Sequence, residues 1–386
     1  MSTHPILHFK PRVLDSAVED LVGRLKSTRL PDAETVETWD QGVPLSYQRE
    51  LIDYWSTDYD FSRLERRLGA VENFITNIDG LDIHFIHKRS RHSQATPLLI
   101  THGWPGSVLE YLDIIDALSD PTRFGGKPDD AFHIVIPALP GFGFSGKPTS
   151  PGFGVAKIAA MWEQLMARLN YQTFLAHGGD WGSIVTQAIL LQDETNCVGG
   201  HCTLPVVLPD ESTLDNPSSD EIDALKSFQF YNEWDSGYSK QQATRPQTLG
   251  YALADSPSGQ LAWIIEKFGF WMDCEVNDIR HPENVLHKDL LLDNVTLYWA
   301  TNTATSSARL YWESFATPNL APITRPIGLS VFPKEIMRTS ERWARNRFHK
   351  LVHFENDFER GGHFAALEAP DALARELRIW RAKLSA

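Results

Sequence analysis

The spacing of hydrophobic and polar positions changes character twice along the chain, and the changes divide it. Up to about Ala70 apolar residues recur at helical spacing. Leu14, Val18, Leu21, Val22 and Leu25 form one stripe, and residues 46–55 form a second candidate helix. From Asn73 the period becomes two: residues 74–77 and 81–86 flank Asp79-Gly80, a dipeptide that favours the tight turn of a β-hairpin. Short apolar runs then alternate with longer helical patterns. The runs are 97–101, 132–138, 173–176, 198–204, 327–332 and 351–354, and residues 156–169 are one of the helices between them. Alternation of this kind predicts a mostly parallel sheet with helices on both faces.

Between about Val207 and Thr324 the alternation stops. That interval is rich in Trp and Tyr and carries polar, turn-forming stretches such as 209–220, which predicts a mostly helical insertion between two strands. Insertions at the carboxyl ends of parallel strands lie over the place where such sheets bind ligands, so a lid is expected. The organisation read from the pattern is an N-terminal helical extension over 1–72, a first core part over 73–206, a lid over 207–324 and a second core part over 325–386.

Composition narrows the function classes. The chain of 386 residues is 42% hydrophobic and 22% charged, ordinary values for a globular protein. Its formal net charge of −14 repels a phosphate backbone and argues against a nucleic-acid partner. Three cysteines without regular spacing make neither a disulfide framework nor a zinc site. No signal-like apolar segment and no run long enough to span a membrane stands out, so a soluble, cytoplasmic protein is expected.

Candidate chemistry begins at Gly178-Gly179-Asp180-Trp181-Gly182, which follows the run 173–176. Small residues flank one polar residue at a strand-to-helix turn, the arrangement that presents a nucleophile on a strained backbone. An aspartate there also fits as a helix N-cap. Upstream, Thr101-His102-Gly103-Trp104-Pro105-Gly106-Ser107 follows the run 97–101, where hydrolases of this architecture place one backbone donor of an oxyanion hole. The second donor comes from the residue after the nucleophile, so the expected pair is the N–H groups of Trp104 and Trp181. Either indole also fits as core. A base is expected after the last strand, and Gly361-Gly362-His363-Phe364 supplies His363, one of 14 histidines. An acid must orient its imidazole. Glu335 follows the preceding strand and is preferred over Asp357, which is too close to His363 in sequence.

A carboxylate nucleophile constrains the reaction. It is ionised at neutral pH without a base. Against an amide it would form an anhydride more reactive than the substrate, whereas at an sp3 carbon bearing a leaving group it forms a stable alkyl ester. A histidine-activated water can then hydrolyse that ester at the aspartate's own carbonyl carbon. Epoxides and alkyl halides are therefore the expected substrates. A halide leaves as an anion; an epoxide oxygen needs a proton, which tyrosines of the insertion can give. Tyr238 and Tyr311 both lie there, although with 10 tyrosines in the chain spacing alone does not select them.

These segments together resemble the epoxide hydrolases of the α/β-hydrolase fold, in the branch of the microsomal and fungal enzymes. The carrying residues are HGWPGS at 102–107, GGDWGS at 178–183, SSARLY at 306–311, FPKE at 332–335 and GGHFAALE at 361–368. Trp39, Gly42, YDF at 59–61 and IDGLDIHFIH at 78–87 resemble the N-terminal extension of that branch. The resemblance implies Asp180 as nucleophile, His363 as general base, Glu335 as its acid, Trp104 and Trp181 as backbone donors, and Tyr311 and Tyr238 as proton donors. It implies an epoxide and water as substrates, no metal or organic cofactor, and by analogy a homodimer. The membrane anchor of microsomal relatives is not seen. A haloalkane dehalogenase using the same Asp–His–acid set is the alternative, and a non-catalytic receptor on this fold is a more distant one.

Overall fold

The computed structural model describes residues 4–315 and 318–384. The outermost residues of the expected extension and second core part, and two of the expected lid, lie outside that range. Among the described residues nine strands form the main sheet: β1 (Leu7–His8), β2 (Asn73–Ile78), β3 (Leu81–Lys88), β4 (Thr96–Thr101), β5 (Phe132–Pro137), β6 (Phe174–Gly178), β7 (Cys197–Cys202), β10 (Ile327–Ser330) and β11 (Leu351–Glu355). The other two, β8 (Glu275–Val276) and β9 (Ile279–Arg280), form a small hairpin inside the insertion. The main sheet has the order β1-β2-β3-β5-β4-β6-β7-β10-β11. From β5 to β11 the pairings are parallel, whereas β1, β2 and β3 pair antiparallel and β3 joins β5 antiparallel.

The hairpin turn forms as its dipeptide predicts, with Asp79 at φ 52° and Gly80 at φ 86°, the positive angles that a two-residue turn between twisted strands demands. The central strands are buried on both faces, and their period of two sorts side chains between two cores. Leu98, Ile100, Ile134, Ile136 and Leu175 face one core with Trp380, while Leu99, Val135 and Ala176 face the other with Trp162. The first core is closed by the helix Pro370–Lys383, the second by the helices Val155–Arg168 and Asp180–Leu190.

Apart from the hairpin β8–β9, the regular elements described in the insertion between β7 and β10 are helices. Its helices include Ser219–Phe230, Gly237–Thr244, Pro246–Asp255, Pro257–Trp271, Lys288–Ala300 and Ala304–Ser314. One of them ties the N-terminal segment to the sheet. Asp293, wholly buried on the helix Lys288–Ala300, accepts from Tyr59 Oη at 2.8 Å, Arg63 Nε at 3.1 Å and an Arg67 guanidinium nitrogen at 3.0 Å. On the same helix the next residue, Asn294, donates from Nδ2 to the Pro105 carbonyl at 2.8 Å, and Tyr298 Oη donates to the Gly106 carbonyl at 2.8 Å. The loop after β4 is thus braced through this helix by residues 59–67. Among the described residues no helix is long and apolar enough to cross a membrane.

Candidate active site

Four segments at the carboxyl ends of parallel strands converge: His102–Ser107 after β4, Gly179–Asp180 after β6, and the segments after β10 and after β11. Asp180 opens its helix with φ +47°, a left-handed conformation that costs a non-glycine residue roughly 1–3 kcal/mol. Its neighbours make room for it. A Cβ on Gly182 would lie 1.7 Å from the Thr101 carbonyl oxygen, and one on Gly103 would lie 2.1 Å from Asp180 Oδ1. Both glycines are therefore required by close approach, not by flexibility.

The Trp104 N–H donates to Asp180 Oδ1 at 2.8 Å. On the other side His363 Nε2 is 3.3 Å from Asp180 Oδ2, and His363 Nδ1 donates to Glu335 Oε1 at 2.6 Å. Asp357 is exposed and takes no part. Burial disfavours a charged imidazole, but the Glu335 and Asp180 carboxylates override it and hold His363 well above the ordinary histidine range. The helices Gly237–Thr244 and Ala304–Ser314 bring Tyr238 and Tyr311 together, with ring centroids 5.8 Å apart. Tyr238 stacks on Trp104 at 5.0 Å, and Tyr311 meets Trp181 edge-on at 4.8 Å. Burial, then the Asp180 charge, pushes the Tyr311 hydroxyl well up, and it has no hydrogen-bond partner among the described residues. The Trp181 N–H lies at the start of its helix and makes no hydrogen bond to the Asp180 carboxylate; the other expected residues meet around one point.

Sequence reasoning missed Glu110 and His102. Glu110 lies in the apolar run 108–112 with its carboxyl pushed to about 8 by burial. With Tyr111, His177, Thr203, Asp180 and His363 it borders a cavity of about 10 Å³, which is room for one water with polar partners. His102 accepts from the Leu139 N–H at Nε2 (3.2 Å) and donates from Nδ1 to the Gly103 carbonyl (3.0 Å). Those bonds need the neutral ring, and burial lowers His102 to about 4.

A pH dependence follows. His84 is depressed to about 3, and His87, His102 and His177 to about 4, by burial. A depressed folded-state value contributes stability above the ordinary histidine pKa and loses it as pH falls through the folded value. The unfolding free energy is thus expected to fall between pH 6.5 and 4, by on the order of 3 kcal/mol for each such ring before the opposing carboxyls described next. Glu110 and Glu368, raised by burial to about 8 and about 7, act oppositely and erode stability as pH rises from the ordinary carboxyl range through those values. An unfolding free energy that stays flat from pH 6.5 to 4 would contradict the neutral-ring account.

Comparison with known proteins agrees with this geometry. Residues 6–111 match the family "Epoxide hydrolase N terminus", and residues 96–252 match "alpha/beta hydrolase fold". A putative epoxide hydrolase of Stigmatella aurantiaca (strain DW4/3-1) is 50% identical over 97% of this chain and 84% of its own length. Epoxide hydrolase 1 of Sus scrofa is 34% identical over 96% of this chain and 87% of its own. The solved structure of Aspergillus niger epoxide hydrolase superposes with a TM-score of 0.88 at 29% identity, covering 98% of this chain and 97% of that one. Juvenile hormone epoxide hydrolase from the silkworm Bombyx mori gives 0.87 at 29% identity, covering 99% and 95%. Sheet order, helical insertion and extent of likeness agree: the chain belongs to the epoxide hydrolase family and is an enzyme of that family on the α/β-hydrolase fold.

Proposed function

We propose that the enzyme adds water to an epoxide in two covalent steps and releases a vicinal diol. The observation that carries the reading is the placement of Asp180, its carboxylate between the Trp104 N–H and His363, beside two buried tyrosines. In the first step Asp180 attacks one ring carbon, the C–O bond of the ring breaks, and the departing oxygen, held by the hydroxyls of Tyr238 and Tyr311, takes one proton from Tyr238. In the second, His363, oriented by Glu335, takes a proton from water, and the hydroxide attacks the ester carbonyl carbon of Asp180. The N–H groups of Trp104 and Trp181 stabilise the tetrahedral oxyanion. The single-water cavity against Asp180 and His363 suits that step.

The proton balance closes. Before reaction both carboxylates keep His363 protonated. Alkylation neutralises Asp180, removes one of the two charges holding the proton, and turns the ring into a base. The imidazolium proton passes to the phenolate left by ring opening; the proton taken from water restores the imidazolium, and as the ester C–O bond breaks the hydroxide's proton goes to the departing diol oxygen, leaving Asp180 a carboxylate again. No metal or organic cofactor enters either step. Residues 207–324 act as the lid that carries the tyrosines, 73–206 and 325–386 as the catalytic core, and 1–72 as a brace.

His363→Gln is expected to form the ester and release diol at least ~100-fold more slowly, so that mass spectrometry of the acid-quenched protein finds the substrate's mass on the Asp180 peptide. In water labelled with ¹⁸O, a single turnover of wild type is expected to place the label in Asp180. Label appearing first in the diol would overturn the covalent order. A panel of terminal epoxides and haloalkanes separates the leaving groups: halide release without diol formation would keep Asp180 and His363 but discard the tyrosine roles.

A further inference from the structure

Lys267 is a buried cation that the two steps above do not use. It sits on the helix Pro257–Trp271 with 2% of its surface exposed. Its Nζ lies 4.5 Å from the centre of the Tyr238 ring and 5.5 Å from that of Trp271. Trp104 already stacks on Tyr238 with an interplanar angle of 10°, which leaves the ammonium the other face. The cation is fixed: Nζ donates to Asp235 Oδ1 at 2.9 Å and to Glu266 Oε1 at 2.9 Å. Asp235 in turn accepts from Trp271 Nε1 at 2.5 Å, and the Trp271 carbonyl accepts from the His363 N–H at 2.9 Å. Asp235 belongs to a π-helical turn, Tyr231–Asp235, a rare distortion that recurs at functional sites. The turn also sets the Tyr231 hydroxyl 3.4 Å from that of Tyr238.

Burying a lysine is costly unless it is paired, and replacing such a pair by apolar residues is often neutral or stabilising, so fold stability alone is a weak reason for it. A phenol that gives up its proton supplies another. Its negative charge spreads into the ring, and burial, then Tyr311, Tyr231 and Asp180, all oppose that charge at Tyr238. A cation over a desolvated ring face stabilises it.

We propose that Lys267 is a positioning residue for ring opening, its ammonium stabilising the phenolate character that Tyr238 acquires as it protonates the epoxide oxygen. No bond is made to Lys267: the proton passes from Tyr238 Oη to the opened oxygen, and the electron pair left on Tyr238 is what the cation meets. The inference rests on the proton-donor reading of Tyr238, and it concerns the first step only.

The test uses the full-length protein and styrene oxide as probe, with alkylation followed by tryptophan fluorescence in single turnovers and diol release measured separately. In Lys267→Met alkylation is expected to slow about 30-fold, with ester hydrolysis within twofold of wild type. Lys267→Arg is expected to recover most of the loss. Against a Tyr238→Phe background, where Tyr311 still donates, Lys267→Met is expected to change alkylation by less than twofold, because the hydroxyl it serves is gone. A loss undiminished in that background, an equal fall in both steps, or no loss at all would overturn the proposal. Should Lys267→Met alone not fold, Asp235→Asn/Lys267→Met removes the ammonium together with its buried partner and leaves only the part-exposed Glu266 carboxylate, and the same outcomes decide. Acid-quenched wild type is checked first: absence of an adduct on Asp180 would overturn the two-step reading and this inference with it, whereas an adduct with Lys267→Met alkylating normally would overturn the inference alone.

Discussion

Asp180→Ala is expected to lower kcat by a factor on the order of 10⁶, the scale seen when a nucleophile acting as part of a unit is removed. The size follows from what remains. No second carboxylate can take over, because Glu335 is engaged by His363 on the far side of the ring, and Glu110, pushed to about 8 by burial, is protonated at neutral pH. The tyrosines would still meet the epoxide oxygen, so binding is expected to survive where turnover does not. The variant separates two mechanisms sharply. If His363 activated water for direct attack on the epoxide ring, removing Asp180 would leave the water, the base and the proton donors in place, and several per cent of the activity would remain. Steady-state rates for Asp180→Ala above about one hundredth of wild type would therefore sink the covalent reading.

Asp293→Ala is expected to cost about 3–5 kcal/mol of stability, the range for breaking a buried pair from one side. Asp293 is wholly buried and serves Tyr59, Arg63 and Arg67 at once. The guanidiniums keep 30% and 16% of their side-chain surface exposed, so water relieves part of the penalty and the lower half of the range is expected. The loss should also reach the site. The helix that Asp293 anchors holds the carbonyls of Pro105 and Gly106, and the Trp104 N–H belongs to the same loop. A fall in kcat beyond that explained by unfolded protein is expected with Asp293→Ala, and a smaller one with Asp293→Asn. A denaturation free energy within 0.5 kcal/mol of wild type, a change typical of a neutral surface substitution, would refute the bracing role.

Much of this was legible because the relevant signals are local. The period of two, the Asp79-Gly80 turn and the small residues around Asp180 each act within a few positions, and the chain order of Asp180, Glu335 and His363 follows from the order of strands. Elements that depend on distant partners were not. The helix Ser62–Gly69 offers only Leu64 and Leu68 as buried apolar positions, and its own Arg63 and Arg67 are met by Asp293 far along the chain. Strand β1 has two residues and exists through pairing with β2. Tyr238 was indicated by resemblance alone, since its position depends on how insertion helices cross. Glu110 and Lys267 left one usable trace: Glu110 is a lone charge within the apolar stretch 108–112, and Lys267 sits with Glu266 as the two charges of the otherwise apolar stretch 263–271, where a charge is rarely fully buried unless paired. That trace points to burial but not to the cavity or ring each one serves.

The clasp at Asp293 also bears on how the protein is made. Arg63 and Asp293 are 230 residues apart in sequence, so a ribosome working at 5–20 residues per second releases the second roughly 10–50 s after the first. For that interval the nascent amino-terminal segment carries Arg63 and Arg67 without Asp293, the carboxylate they share. Its exposure to proteases and its call on chaperones are thus set during translation, and a slow stretch of messenger between these codons would lengthen that exposure without altering one atom of the finished enzyme.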